Sequence, residues 1–286
     1  MAATSFDRSG RIPGAARGPA VADPHGGGWS VDYAGVTHQG LFRSSQQDAI
    51  LADGAVAVAD GARLGGSPAL GPDDLLVLGV IDGMGGHLGG AHAAAIAATE
   101  LAAADPWRLL GDPALELEGL SNRILRAGRS WGTPQMGCAA ALLVIGPAIA
   151  VSLNVGDCRS YRLGEPREAS SQGGGAAVGA RPRGSRLEQL SSDDRLPGPL
   201  AHVLTQCLGG PPRLLDVHQQ LVEHSGASPT RYLICSDGLH GALEPPILGR
   251  VLARRDPPGE TVQRLARLAE AVAQDNFSIL VADVRP

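Results

Sequence analysis

Two apolar segments of the sequence each end in an aspartate that is followed by glycine. The first ends at Asp82 and Gly83, and the second ends at Asp237 and Gly238. A carboxylate at a strand end, next to a residue without Cβ, allows side-chain and carbonyl oxygens to approach a hard cation closely. An ordinary strand–turn–helix connection has the same local sequence, so either segment alone leaves both interpretations open.

Two further aspartates lie at predicted strand ends. Asp157 follows the apolar run 148–154, and Asp275 immediately precedes the final apolar run of the chain. Four carboxylates at one rim of a folded domain would repel one another and raise each other's pKa values. Divalent cations would relieve this repulsion, and a ligand set made only of oxygen favours Mg²⁺ or Mn²⁺ over Zn²⁺.

The elements that must position these aspartates are mostly short strands. Strand-like runs are predicted at residues 31–37, 48–52, 75–81, 137–145, 148–154, 159–163, 186–190, 214–221, 231–236 and 276–284. We interpret residues 61–72 as a loop because they are rich in glycine and proline.

Predicted helices come in pairs between these groups of strands, at residues 91–104, 115–128, 241–252 and 259–273. Several strands follow one another without an intervening helix, which indicates antiparallel sheets. We therefore expect the α+β class, with two packed antiparallel β-sheets flanked by pairs of helices in an α-β-β-α sandwich. Residues 1–28 are expected to be a disordered tail, residues 29–286 a single domain, and residues 165–185 a flexible loop within it.

Composition excludes several classes of protein. The net charge is −5 and the pI is near 5.9, which disfavours a nucleic-acid-binding protein. The four cysteines form no CxxC pair, so a zinc site or a disulfide framework is not expected, and a cytoplasmic location fits. Residues 136–155 are uncharged over the length of a membrane span. Because Gly146 and Pro147 interrupt them, we interpret them as two strands joined by a turn, with no membrane span.

In their order along the chain, these segments resemble the bacterial form of the type 2C, magnesium- or manganese-dependent protein phosphatase (PPM) family. The similar blocks together cover about residues 31–284. They are Gly40–Asp48, Asp82–His87, Met136–Ala139, Asn154–Arg159, Leu187–Asp193, Leu204–Gly209, Ser236–Leu239 and Asp275–Asn276.

The resemblance implies a role for each acidic position. Asp82 would bridge two metal ions, and the carbonyl oxygen of Gly83 would bind one of them. Asp237 and Asp275 would complete the shell of the other ion, and Asp157 would help to hold a third, weaker one. Mn²⁺ or Mg²⁺ would therefore be the cofactor.

The resemblance also implies the chemistry. The chain would hydrolyse phosphoserine and phosphothreonine in proteins through a metal-activated water at a binuclear centre. Arg43 and Asp82 are the expected catalytic residues, Arg43 because its planar guanidinium would bind the substrate phosphate. The partners would be phosphoproteins, as substrates of a Ser/Thr kinase or in secretion-system regulation, and the protein is expected to be a monomer. The alternative is a weak or inactive phosphatase-fold module that binds a phosphoprotein; because Asp82, Asp237 and Asp275 are all present, the enzyme is favoured.

Two other patterns are weaker. Met84 stands where eukaryotic relatives place a histidine that protonates the leaving group, so water would be the acid here. Cys207 and Arg213 have the Cys-x₅-Arg spacing of cysteine-dependent phosphatases. That chemistry needs loop N–H groups around the phosphate, and Pro211 and Pro212 have none.

Overall fold

The computed structural model describes residues 28–85, 89–164, 187–200, 202–210, 214–224 and 228–286. The predicted tail, except for Gly28, and the predicted loop 165–185 lie outside these residues. His87 and the segment 211–213 also lie outside the described residues.

Within the described residues, two antiparallel sheets pack face to face. The first contains seven strands in the order β10-β9-β12-β13-β1-β4, with β5 also paired to β1. Its strands are β1 (Trp29–His38), β4 (Arg63–Gly66), β5 (Ala69–Leu70), β9 (Arg159–Leu163), β10 (Leu187–Gln189), β12 (Thr230–Cys235) and β13 (Phe277–Arg285). The second contains six strands in the order β11-β8-β7-β6-β2-β3. Its strands are β2 (Asp48–Ala52), β3 (Ala55–Ala57), β6 (Leu76–Met84), β7 (Gly137–Ile145), β8 (Ile149–Val155) and β11 (His218–Glu223).

Helices cover the outer faces of both sheets. In the described part of the chain these helices are α1 (Gly89–Ala102), α2 (Pro106–Gly111), α3 (Pro113–Ser130), α4 (Asp237–Ala242), α5 (Pro245–Leu252) and α6 (Pro258–Glu270), and a 3₁₀ turn spans Gly198–Leu200. Helices α1 to α3 pack on the second sheet and α4 to α6 on the first. The expected α+β sandwich is confirmed.

Three apolar layers hold this arrangement together, one between the sheets and one beneath each group of helices. Every residue of β7 is buried, because one face packs on the other sheet and the opposite face packs on helices. A strand covered on both faces has an uninterrupted apolar sequence rather than an alternating one. Residues 137–155 therefore form β7, a tight turn and β8, as the sequence indicated. In the described part of the chain, no helix has the length and apolar character needed to cross a membrane.

Two sequence predictions were wrong. The segment 61–72 is not simply a loop, because β4 and β5 pair with β1 through backbone hydrogen bonds. The predicted helix 241–252 is instead α4 and α5, separated by Leu243 and Glu244 in extended conformations. Pro245 and Pro246 explain the break, because a proline ring disfavours helical geometry in the residue before it.

Candidate metal centre

The five aspartates at strand boundaries lie at one rim of the sandwich. Asp82 is near the end of β6, and Asp48 begins β2, which pairs with β6 so that the two residues lie directly opposite. Asp157 follows β8, in the connection by which the chain passes from the second sheet to the first. Asp237 follows β12, and Asp275 precedes the neighbouring antiparallel strand β13. The topology thus brings the four predicted aspartates together, with Asp48 as a fifth.

Asp82 is at the electrostatic centre of this group. Burial raises its pKa well above the ordinary value, and the negative charges of Asp48, Asp237, Asp157 and Asp275 raise it further. Carboxylates repel in this way only when they are close and poorly solvated. Positive charge placed close to these carboxylates would therefore stabilise the group strongly.

Asp48 is buried, 3% exposed, beneath the rim. Its Oδ2 accepts hydrogen bonds from the hydroxyls of Ser236, at 2.7 Å, and Ser278, at 2.9 Å. Burial raises its pKa to about 7, although these two hydrogen bonds lower it. The hydroxyls fix the orientation of a carboxylate whose charge is only partly compensated.

Asp157 is also buried, and its pKa is raised to about 6 by burial and then by Asp237, against the lowering effect of Arg195. Its backbone carbonyl accepts a hydrogen bond from Nε2 of His240, at 3.0 Å. Burial, followed by the charge of Arg159, lowers the pKa of His240 to about 4, so its ring is neutral at pH 7. His240 therefore positions Asp157 without adding charge.

Two arginines contact the outer aspartates. Arg43 forms an ion pair with Asp275, and Arg195 contacts both Asp157 and Asp237. In the part of the chain that the structure describes, no three His, Cys, Asp or Glu side chains form a group ready to hold a metal ion.

The donor set still fits Mg²⁺ or Mn²⁺. It consists of carboxylate oxygens that repel one another, and the two arginines supply positive charge to three of them. Divalent cations would supply it more strongly, with the oxygen ligands that these ions prefer.

Glycines allow the chain to pack closely at this rim. A Cβ on Gly83 would lie 2.1 Å from the carbonyl oxygen of Gly90, at the start of α1, and 2.6 Å from that of Gln47. A Cβ on Gly238 would lie 2.0 Å from the carbonyl oxygen of Asn276. Side chains at these positions would push apart the backbone segments that carry the aspartates.

Asn276 holds the loop that carries Arg43. Its side-chain amide donates to the carbonyls of Gln39, at 2.7 Å, and Ser45, at 3.0 Å, while its Oδ1 accepts from the backbone N–H of Gln47, at 3.0 Å. The neighbour of Asp275 in sequence thus ties this loop to the start of β13. Arg43 itself is about half-exposed and lies at the edge of the aspartate group.

Sequence reasoning missed two residues of this site. Asp48 begins a strand rather than ending one, and only the antiparallel pairing of β2 with β6 places it beside Asp82. Its position in the block Gly40–Asp48 was the available signal. Arg195 had no signal in the sequence, since its approach to Asp157 depends on how its loop folds.

Comparison with known proteins gives a consistent result. No family model matches the sequence. The serine/threonine protein phosphatase PstP of Mycobacterium tuberculosis is 26% identical over 278 residues, covering 88% of this chain. The match covers 45% of PstP, so the chain spans about half the length of the curated relatives it matches.

Solved structures share the fold. The catalytic domain of PstP in complex with two manganese ions has a TM-score of 0.67 at 22% identity, covering 90% of this chain and 100% of that one. PppA, a key regulatory component of T6SS in Pseudomonas aeruginosa, has a TM-score of 0.65 at 26% identity, covering 90% and 99%. The chain is thus similar in sequence to a bacterial serine/threonine protein phosphatase, and it shares the fold of that protein's catalytic domain.

Proposed function

We propose that this chain hydrolyses phosphoserine and phosphothreonine in proteins, using Mn²⁺ or Mg²⁺ held by the aspartate group. The observation that carries the proposal is the placement of five aspartates at one rim of the sandwich by the strand topology. Burial and the other four carboxylates raise the pKa of Asp82, which supports it. Asp82, Asp237, Asp275 and the carbonyl of Gly83 are the proposed ligands of two ions. When bound, these ions supply an acidified water and neutralise charge that develops on the phosphoryl oxygens.

The residues of this chain have separate tasks in that reaction. Asp48, oriented by two serine hydroxyls, adds negative charge behind Asp82 and so favours cation binding at the rim. Neutral His240 fixes the backbone at Asp157. These groups are set before substrate arrives, which avoids reorganisation during the reaction.

Arg43 is the proposed phosphate-binding residue. Its ion pair with Asp275 joins side chains that are 53% and 37% exposed. Exposed pairs of this kind contribute at most about 1 kcal/mol, so exchanging the carboxylate for a substrate phosphate costs little. A metal ion on Asp275 would release the guanidinium, and its planar fork could then bind two phosphate oxygens.

The proposed substrates are phosphoproteins, in keeping with the identity of PstP as a serine/threonine protein phosphatase. We propose that they are products of a Ser/Thr kinase, since such a phosphatase requires a reaction that forms the phosphomonoester.

The test is hydrolysis of para-nitrophenyl phosphate and of a phosphothreonine peptide in Mn²⁺, Mg²⁺ or EDTA. We expect turnover with either metal, none in EDTA, and a loss of several orders of magnitude in kcat for Asp82→Asn. Asp256→Asn is the matched control, because Asp256 pairs with Arg254 and Arg264 rather than with the aspartate group.

Full activity in EDTA, or loss of activity only on substitution of Cys207, would overturn the assignment. Binding of Mn²⁺ and phosphopeptide without turnover would identify a non-catalytic module instead.

A further inference from the structure

Arg195 lies between two of the aspartates. Its Nε donates to Oδ2 of Asp157 at 2.6 Å, and its Nη2 contacts Oδ2 of Asp237 at 3.0 Å. The side chain of Arg195 is 24% exposed and that of Asp157 is 9% exposed, so the contact with Asp157 is largely shielded from water. Shielded, charge-assisted hydrogen bonds of this kind are stronger than those of exposed pairs.

The backbone around Arg195 is fixed, so this contact is not that of a freely moving surface side chain. The N–H of Asp194 donates to the carbonyl of Gly156 at 3.0 Å, and the N–H of Thr205 donates to the carbonyl of Asp194 at 2.7 Å. On the other side, the N–H of Leu196 donates to the carbonyl of Val203 at 3.0 Å. Arg195 is therefore held in a short two-stranded loop.

The side chain of Asp194 anchors this loop beneath the rim. Its Oδ2 accepts from the N–H of Gly156 at 2.7 Å and from Nε2 of Gln206 at 2.8 Å, and its Oδ1 contacts Nε2 of His218 at 2.8 Å. Because Gly156 immediately precedes Asp157, one carboxylate fixes both the backbone beside Asp157 and the backbone beside Arg195. The approach of the guanidinium to Asp157 is built into the fold.

A guanidinium stays protonated at any pH at which the protein is folded, whereas a metal ion is supplied from solution. If a divalent cation used Asp157 as a ligand, Arg195 would have to withdraw from the Oδ2 atom that it contacts. Its backbone is tied on both sides, so only rotation of the side chain could move the guanidinium away. The guanidinium and a cation at Asp157 therefore compete for the same oxygen. The contact of Arg195 with Asp237 is longer, at 3.0 Å, and Asp237 is 34% exposed, so a cation at Asp237 would displace it at less cost.

We propose that Arg195 is a built-in counterion that keeps Asp157 out of the metal-ligand set, so that the chain binds two divalent cations and none at Asp157. This inference rests on the proposed function, because it presupposes a binuclear centre at the other aspartates. It departs from the role that the family resemblance implied for Asp157.

The test counts bound metal. Equilibrium dialysis against Mn²⁺, followed by elemental analysis, gives the number of ions per chain for the wild-type protein, Arg195→Gln, Asp157→Asn and the double variant. We expect two ions for the wild type and for Asp157→Asn, three for Arg195→Gln, and a return to two in the double variant. Arg162→Gln is the matched control, since Arg162 pairs with Glu188 on β10 and should leave the count at two.

Three ions on the wild-type protein, falling to two in Asp157→Asn, would overturn the inference even if Arg195→Gln failed to fold. Two ions on a folded Arg195→Gln protein would also overturn it. Fewer than two ions on the wild-type protein would instead contradict the binuclear centre of the proposed function, and with it this inference.

Discussion

This molecule contains both a buried pair of opposite charges and a group of like charges at the rim of the sandwich. On neighbouring strands β12 and β13, Arg231 lies opposite Asp283 and is fully buried. Its Nε and Nη2 donate to the two oxygens of Asp283, each at 2.6 Å, and its other N–H groups bond to Leu252, Thr261 and Asp256. Every charge in this pair has a partner supplied by the chain.

The aspartate group at the rim is arranged in the opposite way. Asp48 and Asp82 also face each other on paired strands, but they carry the same charge. The hydroxyls of Ser236 and Ser278 orient Asp48 without neutralising it. Burial raises the pKa values of both aspartates, and neighbouring carboxylates raise them further.

This difference separates a charge that the chain neutralises itself from a group of charges that it leaves uncompensated. The chain neutralises Arg231 internally, so that pair needs nothing from solution. At the rim the fold retains repulsion that a divalent cation would remove, so we expect folding stability to depend on metal and on pH. Perturbed carboxylates at a domain rim are typical of functional sites for this reason.

The largest effect on stability is expected from breaking the internal pair. Asp283→Asn leaves the Arg231 guanidinium buried without its anion, which should lower the free energy of unfolding by about 3–5 kcal/mol. Urea unfolding in EDTA measures the loss. Glu188→Gln is the control, because it removes the partner of a partly exposed arginine, Arg162, and should cost at most about 1 kcal/mol. Equal losses in the two variants would show that the buried Arg231–Asp283 pair contributes no more to stability than the partly exposed Arg162–Glu188 pair.

A somewhat smaller effect is expected from pH in the metal-free protein. The pKa of Asp48 is raised from 3.8 to about 7 and that of Asp157 from 3.8 to about 6, so between these values the folded state binds more protons than the unfolded state. The free energy of unfolding should therefore fall by a few kcal/mol as pH rises from about 4 to about 7.

Thermal melts in EDTA across this range test the sign, and excess Mn²⁺ should remove most of the fall. Asp82→Asn should make the fall shallower, because it deletes one of the repelling charges. A metal-free protein that gained stability over the same range would show that the carboxylates are already neutralised by other groups.

The sequence predicted strands well where burial alone decides them. The bounds of β2, β7 and β9 match the predicted runs. The first two are almost wholly apolar, whereas β9 combines buried side chains with two partly buried arginines, Arg159 and Arg162. It missed β4, whose residues Arg63–Gly66 are mostly exposed and have no apolar pattern. Such an edge strand is held by backbone pairing to β1, which side-chain types do not encode.

For the site, the sequence located aspartates that end or precede strands, because this signal is local. Asp48 and Arg195 were missed since their positions depend on strand register and on the fold of a loop. Arg231 was missed for the same reason, because only the register of β12 against β13 places it opposite Asp283. Charges that act in pairs across a sheet become visible only when the pairing is known.

The smallest expected effect concerns Arg43, an arginine that forms an ion pair with one of the aspartates at the rim. It pairs with Asp275 as a structural arginine would, yet both side chains are partly exposed, unlike those of Arg231 and Asp283. Hydrogen bonds to charged groups contribute roughly 1.5–3 kcal/mol each. Arg43→Ala should therefore lower kcat/KM by about ten- to a hundredfold, and Arg43→Lys by less, because lysine keeps the charge but loses the planar fork.

Stability distinguishes this role from a structural one. The exposed pair with Asp275 contributes at most about 1 kcal/mol, so the melting temperature and the Mn²⁺ affinity of both variants should stay close to wild type. Arg123→Ala provides the control, because Arg123 on α3 forms a comparable exposed pair with Glu100 on α1, outside the aspartate group. A large fall in melting temperature for Arg43→Ala would make Arg43 a second structural arginine. Unchanged kcat/KM would remove it from the site, because a residue that binds the substrate phosphate cannot be lost without cost to catalysis.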